Sequence, residues 1–176
     1  MGTFIYPTEH DLHRHHTMAD PKSLAARVGR AFTGPAWHGA PLAELLADVT
    51  HTEAATHPFD DVHSIAELVG HIGAWTAVAE RRLGGEDIVP NETDQWPDVD
   101  TTNANAWAAA IDACLGAHES LMRAVAKVDT KHLAQTVPGH DYDAATMVRG
   151  IVEHDAYHGG QIAMLKKVIR SKQRAS

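Results

Sequence analysis

Residues 64–85 read SIAELVGHIGAWTAVAERRLGG, and the way this run begins and ends decides the fold. Ser64 and Glu67 stand three apart as a capping box: the serine hydroxyl takes the amide of the third helical residue, and the glutamate reaches back to the serine amide. Behind them Ile65, Leu68, Val69, Ile72, Trp75, Ala79 and Leu83 recur at steps of three and four, which lays one apolar stripe along a helix. Gly84-Gly85 stops it.

The same grammar extends in both directions. Upstream, Asp20 suits a cap and Pro21 the first helical position, and Leu24, Val28, Ala31 and Phe32 form one face before Gly34-Pro35. A second piece with Leu42, Leu45, Leu46 and Val49 follows the Trp37-His38-Gly39 turn, and His57-Pro58 ends this arm. Downstream, residues 85–100 carry two prolines and no period, and are read as a loop. Thr101 or Thr102 then opens a helix with Trp107, Ile111, Cys114, His118, Leu121 and Val125 on one face. After the Pro138-Gly139 loop, Asp143 begins a last helix striped by Met147, Ile151, His154, His158, Ile162, Leu165 and Ile169. No alternating run of β-branched residues appears, so the chain reads as an all-α bundle of four main helices. About 16 loop residues join the second and third helices; at roughly 3.3 Å each they can span a 20-residue helix, which permits a crossover.

The 176 residues are expected to form one domain from 20 to 176, preceded by a flexible arm at 1–19. That arm contains HDLHRHH at 10–16, whose histidines could take up metal only adventitiously, because each would have to be ordered at an entropic cost. A net charge of -8 argues against nucleic acid or an anionic membrane as partner. The basic cluster of Lys166, Lys167, Arg170, Lys172 and Arg174 reads as a solvated helix end. The single cysteine, Cys114, allows no internal disulfide, there is no apolar run of membrane-spanning length, and the expected location is cytoplasmic.

Within the last helix the stretch HDAYHGGQI, 154–162, puts two imidazoles on a stripe that should be buried. His154 and His158 are four apart, so their Cβ atoms lie roughly 6 Å from each other on one face, and the rings can converge on one metal with bonds of about 2.0–2.1 Å. His71, between Leu68 and Trp75 on the inward flank of its helix, is the natural third ligand. The competing reading is three buried neutral histidines with ordinary hydrogen-bond partners. His118 is also inward, and its isolation favours a hydrogen-bonded core or pocket residue over a fourth ligand. Glu153, Asp155 and Gln161 either hold a ring N–H of the pair or face solvent as ordinary helix polars. The H-D-x-x-H pattern is one carbon short of H-E-x-x-H, and no strand edge is available to align a peptide, so proteolysis is set aside. Cys114, in mid-helix, reads as core rather than nucleophile.

Three segments together, SIAELVGHIGAWTAVAERRL, the loop DQWPDV and EHDAYHGGQIAMLKK, resemble the DinB/YfiT-like metalloproteins over about residues 22–170. That family carries one histidine on its second helix and an H-x-x-x-H pair on its last, and by position His71, His154 and His158 match its three metal ligands. The arm before Asp20 has no counterpart. The resemblance implies a four-helix bundle with one crossover, often a homodimer, holding a divalent ion. Zinc or nickel is expected, and three imidazoles suit iron as well. Some members are transferases or isomerases that use low-molecular-weight thiols, others are labelled metal-dependent hydrolases, and others have no known activity. The leading expectation is therefore a metalloenzyme for thiol-dependent transfer or isomerisation of a small-molecule substrate. Hydrolysis by an activated water and a non-catalytic metal-binding stress-response module are the alternatives.

Overall fold

Asp20 accepts the Ser23 amide at 2.8 Å and Pro21 stands inside the first turn, so α1 spans Pro21–Thr33. A computed structural model describes residues 20–175; the N-terminal arm with its histidines lies outside them. After α1 come α2 (Leu42–Leu46), α3 (His51–Ala55), α4 (Ile65–Leu83), α5 (Glu92–Gln95), α6 (Ala104–Lys127), α7 (Thr130–Leu133) and α8 (Ala144–Ala175). Among the described residues there is no strand, only the isolated bridges Ala36–Gly39 and Thr136–Asp143. The capping box of α4 forms with both hydrogen bonds, Glu67 N to Ser64 Oγ at 3.2 Å and Ser64 N to Glu67 Oε2 at 2.7 Å.

The four long helices close a ring in which α1 and α4 each pack on α6 and α8. One core cluster joins the end of α1 (Phe32), the start of α4 (Ile65 to Ile72), the first half of α6 (Trp107, Cys114) and the second half of α8 (Ile162, Leu165, Ile169). The other joins Leu24 and Val28, Ala79 and Leu83, Leu121 and Val125, and Met147 to Ile151. The starts of α4 and α6 share a layer and so do their ends, so these helices run parallel, and the intervening segment is the crossover. Ile72, Leu121 and Ile162 are fully buried, and truncation of any of them to alanine should cost about 2–5 kcal/mol.

Three details differ from the sequence reading. The crossover is not all loop: Asn91 caps α5 and Asp94 completes a capping box, at 2.9 and 3.1 Å, which also gives the Asn91 side chain a structural job. Helix α6 starts at Ala104 with Asn103 as cap, because Thr102 is drawn into a turn by the Asp100 carboxylate, 2.9 Å from its amide. The basic end of α8 is a clamp rather than a solvated terminus. Lys166 reaches Asp48 at 2.6 Å and Arg170 reaches Asp48 and Glu53 at 2.8 and 2.7 Å, so α2 and α3 are tied to α8. Lys172 hydrogen-bonds the Pro58 carbonyl and lies 4.5 Å from the centroid of Phe59.

Candidate metal centre

His71 enters from α4, seven residues after the cap, on the flank that faces α8. Its Nδ1 lies 2.9 Å from the carbonyl oxygen of Gln95, the last residue of α5, to which it donates; the tautomer is thereby set and Nε2 is left with its lone pair. Trp96 stacks on the ring at 3.9 Å and 15°, and His63 stacks on the far side of Trp96 at 3.7 Å and 12°. The short helix α5 thus fixes both the proton and the plane of His71.

His154 and His158 come from α8, one turn apart, with ring centroids 4.4 Å from each other. Nδ1 of His158 donates to Gln161 Oε1 at 2.6 Å, which turns its Nε2 inward as well. Nε2 of His154 lies 3.1 Å from Nε2 of His71. One nitrogen from each of the three rings falls within 4.8 Å of the others. Two ligands around a tetrahedral ion with 2.0–2.1 Å bonds stand about 3.3 Å apart, so the set is close to what one ion requires. The arrangement also makes poor sense as plain hydrogen bonding, since two ring nitrogens face each other while Nδ1 of His154 is buried with no partner among the described residues. Three such residues could hold a metal ion, and this donor set fits one.

Electrostatics favour the same use. Burial, then the neighbouring rings, push the His154 pKa down to about 4. Burial likewise lowers His71 and His158, against the opposing pull of the Gln95 and Gln161 oxygens. Around neutral pH the three rings are held unprotonated, the form that binds metal.

His118 stays apart from this group. It is 2% exposed, its Nδ1 donates to the Cys114 carbonyl at 2.8 Å, and its Nε2 meets Asp155 Oδ2 at 3.1 Å. Cys114 is buried in the core, as its mid-helix position suggests. Asp155, the acid of H-D-x-x-H, therefore points into the bundle and not toward the pair that brackets it. Gln161 supplies the ring contact expected of one of the three flanking polars, while Glu153 is exposed. The Gln95 carbonyl was not legible in advance, because a backbone acceptor leaves no side-chain signature; the Asn91/Asp94 spacing is the signal that could have located its helix.

The histidines form one end of a cleft of about 600 Å³ between α4 and α8. Its walls are mainly apolar, with Trp75, Val78, Ala79, Met147 and Ile151, and no Asp or Glu is among the described residues that line it. Trp75 and His154 are the members of the two helical stripes that stay half-buried, and both line this cleft.

The family model of the DinB superfamily matches residues 36–162, most of the chain and all three histidines, and the chain belongs to that superfamily. No curated protein matches it, and no solved structure does. No described helix is long and apolar enough to cross a membrane.

Proposed function

From this membership and the geometry of the three imidazoles, we propose that the protein is a divalent-metal enzyme of thiol-dependent group transfer or isomerisation, with His71, His154 and His158 as its ligands and zinc or nickel as the metal. The observation that carries the reading is the convergence of three ring nitrogens, within 4.8 Å of one another, at one end of a mainly apolar cleft. Three protein ligands with room for a fourth group are the pattern of catalytic sites, whereas structural sites are closed by four. A divalent ion held there supplies Lewis acidity, which lowers the pKa of a thiol or water that occupies the remaining position.

The choice of thiol over water rests on the lining. Hydrolysis by an activated water usually enlists a carboxylate as general base. Of the two acids that flank His154 in sequence, Asp155 is engaged with His118 in the core, while Glu153 is exposed and does not line the cleft. A thiol that has lost its proton needs no such base. Its sulfur would bond to the electrophilic carbon of the substrate as the bond from that carbon to its leaving group breaks. The leaving group departs with the electron pair and the thiol proton passes to solvent, while the apolar walls limit competition from bulk water. Gln95 and Gln161 hold the Nδ1 protons of His71 and His158, and so keep the lone pairs of both rings directed inward throughout.

The test begins with elemental analysis of freshly purified protein. Zinc- and nickel-loaded samples are then assayed with several cellular thiols and a chromogenic electrophile, beside a panel of ester and amide substrates. Thioether formation that requires both metal and thiol is expected. Ester or amide turnover without thiol would move the reading to a hydrolase, and tight metal binding with neither activity would move it to a non-catalytic module.

A further inference from the structure

The end of the cleft away from the histidines contains a buried cation without a countercharge. Arg82, on the last turn of α4, is 7% exposed. Its Nε and Nη2 donate to the Ile88 carbonyl at 3.2 and 2.6 Å, and Nη1 donates to the Tyr142 hydroxyl at 3.1 Å. Both acceptors are neutral. No described carboxylate pairs with Arg82, in contrast to Arg81 beside it, which meets Glu86 at 2.7 Å. A guanidinium has five N–H groups, and three are used here. The guanidinium carbon lies 5.8 Å from the centroid of the Trp75 ring, and Arg82, Trp75 and Tyr142 line the cleft together. Neutral acceptors and a ring face leave the buried charge without an anionic partner, and burying a charge in that state is costly, so its retention in such a place asks for an anion.

Tyr142 strengthens the case. The loop before α8 closes on itself, with Val137 N on the Tyr142 carbonyl and Ala144 N on the Gln135 carbonyl, each at 3.0 Å, and this sets the phenol over Arg82. Because Tyr142 accepts from Nη1, its own O–H is free to donate. A fork of N–H groups beside one O–H donor is suited to a carboxylate.

We propose that Arg82 and Tyr142 build an anion subsite that selects an elongated monoanionic carboxylate with an apolar body and directs its far end toward the three histidines. The charge follows from the single cation in the lining. The apolar body follows from Val78, Ala79, Met147 and Ile151 in between. The length follows from the helix: Arg82 is eleven residues beyond His71, roughly 16 Å along the axis at 1.5 Å per residue, less the reach of the side chains. Only the direction toward the histidines rests on the metal reading; the carboxylate preference stands without it.

The experiment is calorimetric titration of the full-length protein with decanoate and with 1-decanol, before and after chelation of metal, on wild type, Arg82→Met, Arg82→Lys and Tyr142→Phe. Decanoate is expected to bind wild type at least about tenfold tighter than the alcohol in both metal states, the worth of one charge-assisted hydrogen-bond set. Arg82→Met should abolish the preference with metal stoichiometry unchanged, and Arg82→Lys and Tyr142→Phe should each reduce it. Equal binding of the two probes, no binding of either, or a preference that survives in Arg82→Met overturns the subsite. Should Arg82→Met fail to fold, the wild-type comparison and the two milder variants decide alone. If the protein takes up no metal yet prefers decanoate through Arg82, the metal reading fails and the subsite stands. With metal bound, 10-mercaptodecanoate should bind tighter than decanoate, and only then.

Discussion

Asp155 Oδ2 lies 3.1 Å from Nε2 of His118, with the two side chains 0% and 2% exposed. One residue of helix turns the chain by about 100°, so an acid next to His154 leaves the cleft face and enters the core opposite α6. There it reverses the usual fate of a buried imidazole. Burial alone would lower the His118 pKa, but the hydrogen bond to Asp155 and its charge, with the contact to Cys114, outweigh it and hold the value up to about 10. The pair crosslinks α6 to the turn of α8 that carries two of the three site histidines.

Replacing His118 with alanine should strand the Asp155 carboxylate in the core, at a cost on the order of 3–5 kcal/mol. The double variant His118→Ala/Asp155→Asn should recover part of that loss, because no unpaired charge remains. Metal stoichiometry should be the same in wild type and in His118→Ala. Thermal unfolding with metal titration of the three proteins checks both statements; a His118→Ala protein that melts normally but binds no metal would contradict them.

Removal of any one site histidine should leave two imidazoles, too few for a firm site. Changes to outer contacts of metal sites typically cost 10–100-fold in affinity, so His71→Ala, His154→Ala and His158→Ala should each lose at least about 100-fold, and Gln161→Ala about 10-fold. The helical circular dichroism should persist in all four and in chelated wild type, since two core clusters and the Arg170 clamp hold the bundle without the metal. A helical signal that collapses on chelation would assign the metal a structural role.

How far the sequence carried is clear from these residues. The stripe positions of α1, α4, α6 and α8 and the capping box at Ser64 were readable because helical periodicity and caps are local codes. The grouping of His71, His154 and His158 was readable because a histidine pair at one-turn spacing is local too, and the structure brings the third ring to it in a set that could hold a metal ion. What escaped depends on contacts distant in sequence. Arg170 and Lys166 look like any basic helix end until Asp48 and Glu53 are set beside them, more than a hundred residues earlier. The cleft escaped as well, since Trp75 reads as core until the gap between α4 and α8 is seen.

Gly150 tests whether that gap is retained for use. It is exposed inside α8 and lines the cleft, and a Cβ added there meets nothing within 4 Å. Packing therefore does not require glycine. Gly150→Ala should raise stability by roughly 0.5–1 kcal/mol through the ordinary helix propensity, whereas Gly150→Phe should put a side chain into the cleft and weaken binding of substrate-like probes. Chemical denaturation of the alanine variant is the measurement; a destabilised Gly150→Ala would mean that the backbone at this turn is constrained in a way its geometry does not reveal.

The pH profile of the metal-free protein should have two limbs of separate origin. On the acid side, His154 titrates near 4 when folded against an ordinary 6.5, and His71 and His158 are lowered as well. The unfolded chain then binds protons that the folded chain refuses, so stability falls as the pH drops below about 6.5 and keeps falling toward 4. On the alkaline side the sign is opposite. His118 is raised to about 10, so its contribution is complete below about 6.5 and is lost progressively as the pH rises toward 10. The apo protein should therefore be most stable slightly below neutral pH. Zinc should raise the melting temperature by a constant increment from pH 7 to 9, and this increment should shrink on acidification as protons compete for the same three nitrogens. The slope between pH 7 and 9 should be the same with and without zinc, since His118 is no ligand. Melting temperatures from pH 4 to 9 for apo and zinc-loaded wild type and for His118→Ala provide the check. The slope between pH 7 and 9 should flatten in His118→Ala alone, and its persistence there would show that a group other than the Asp155–His118 pair sets the alkaline limb.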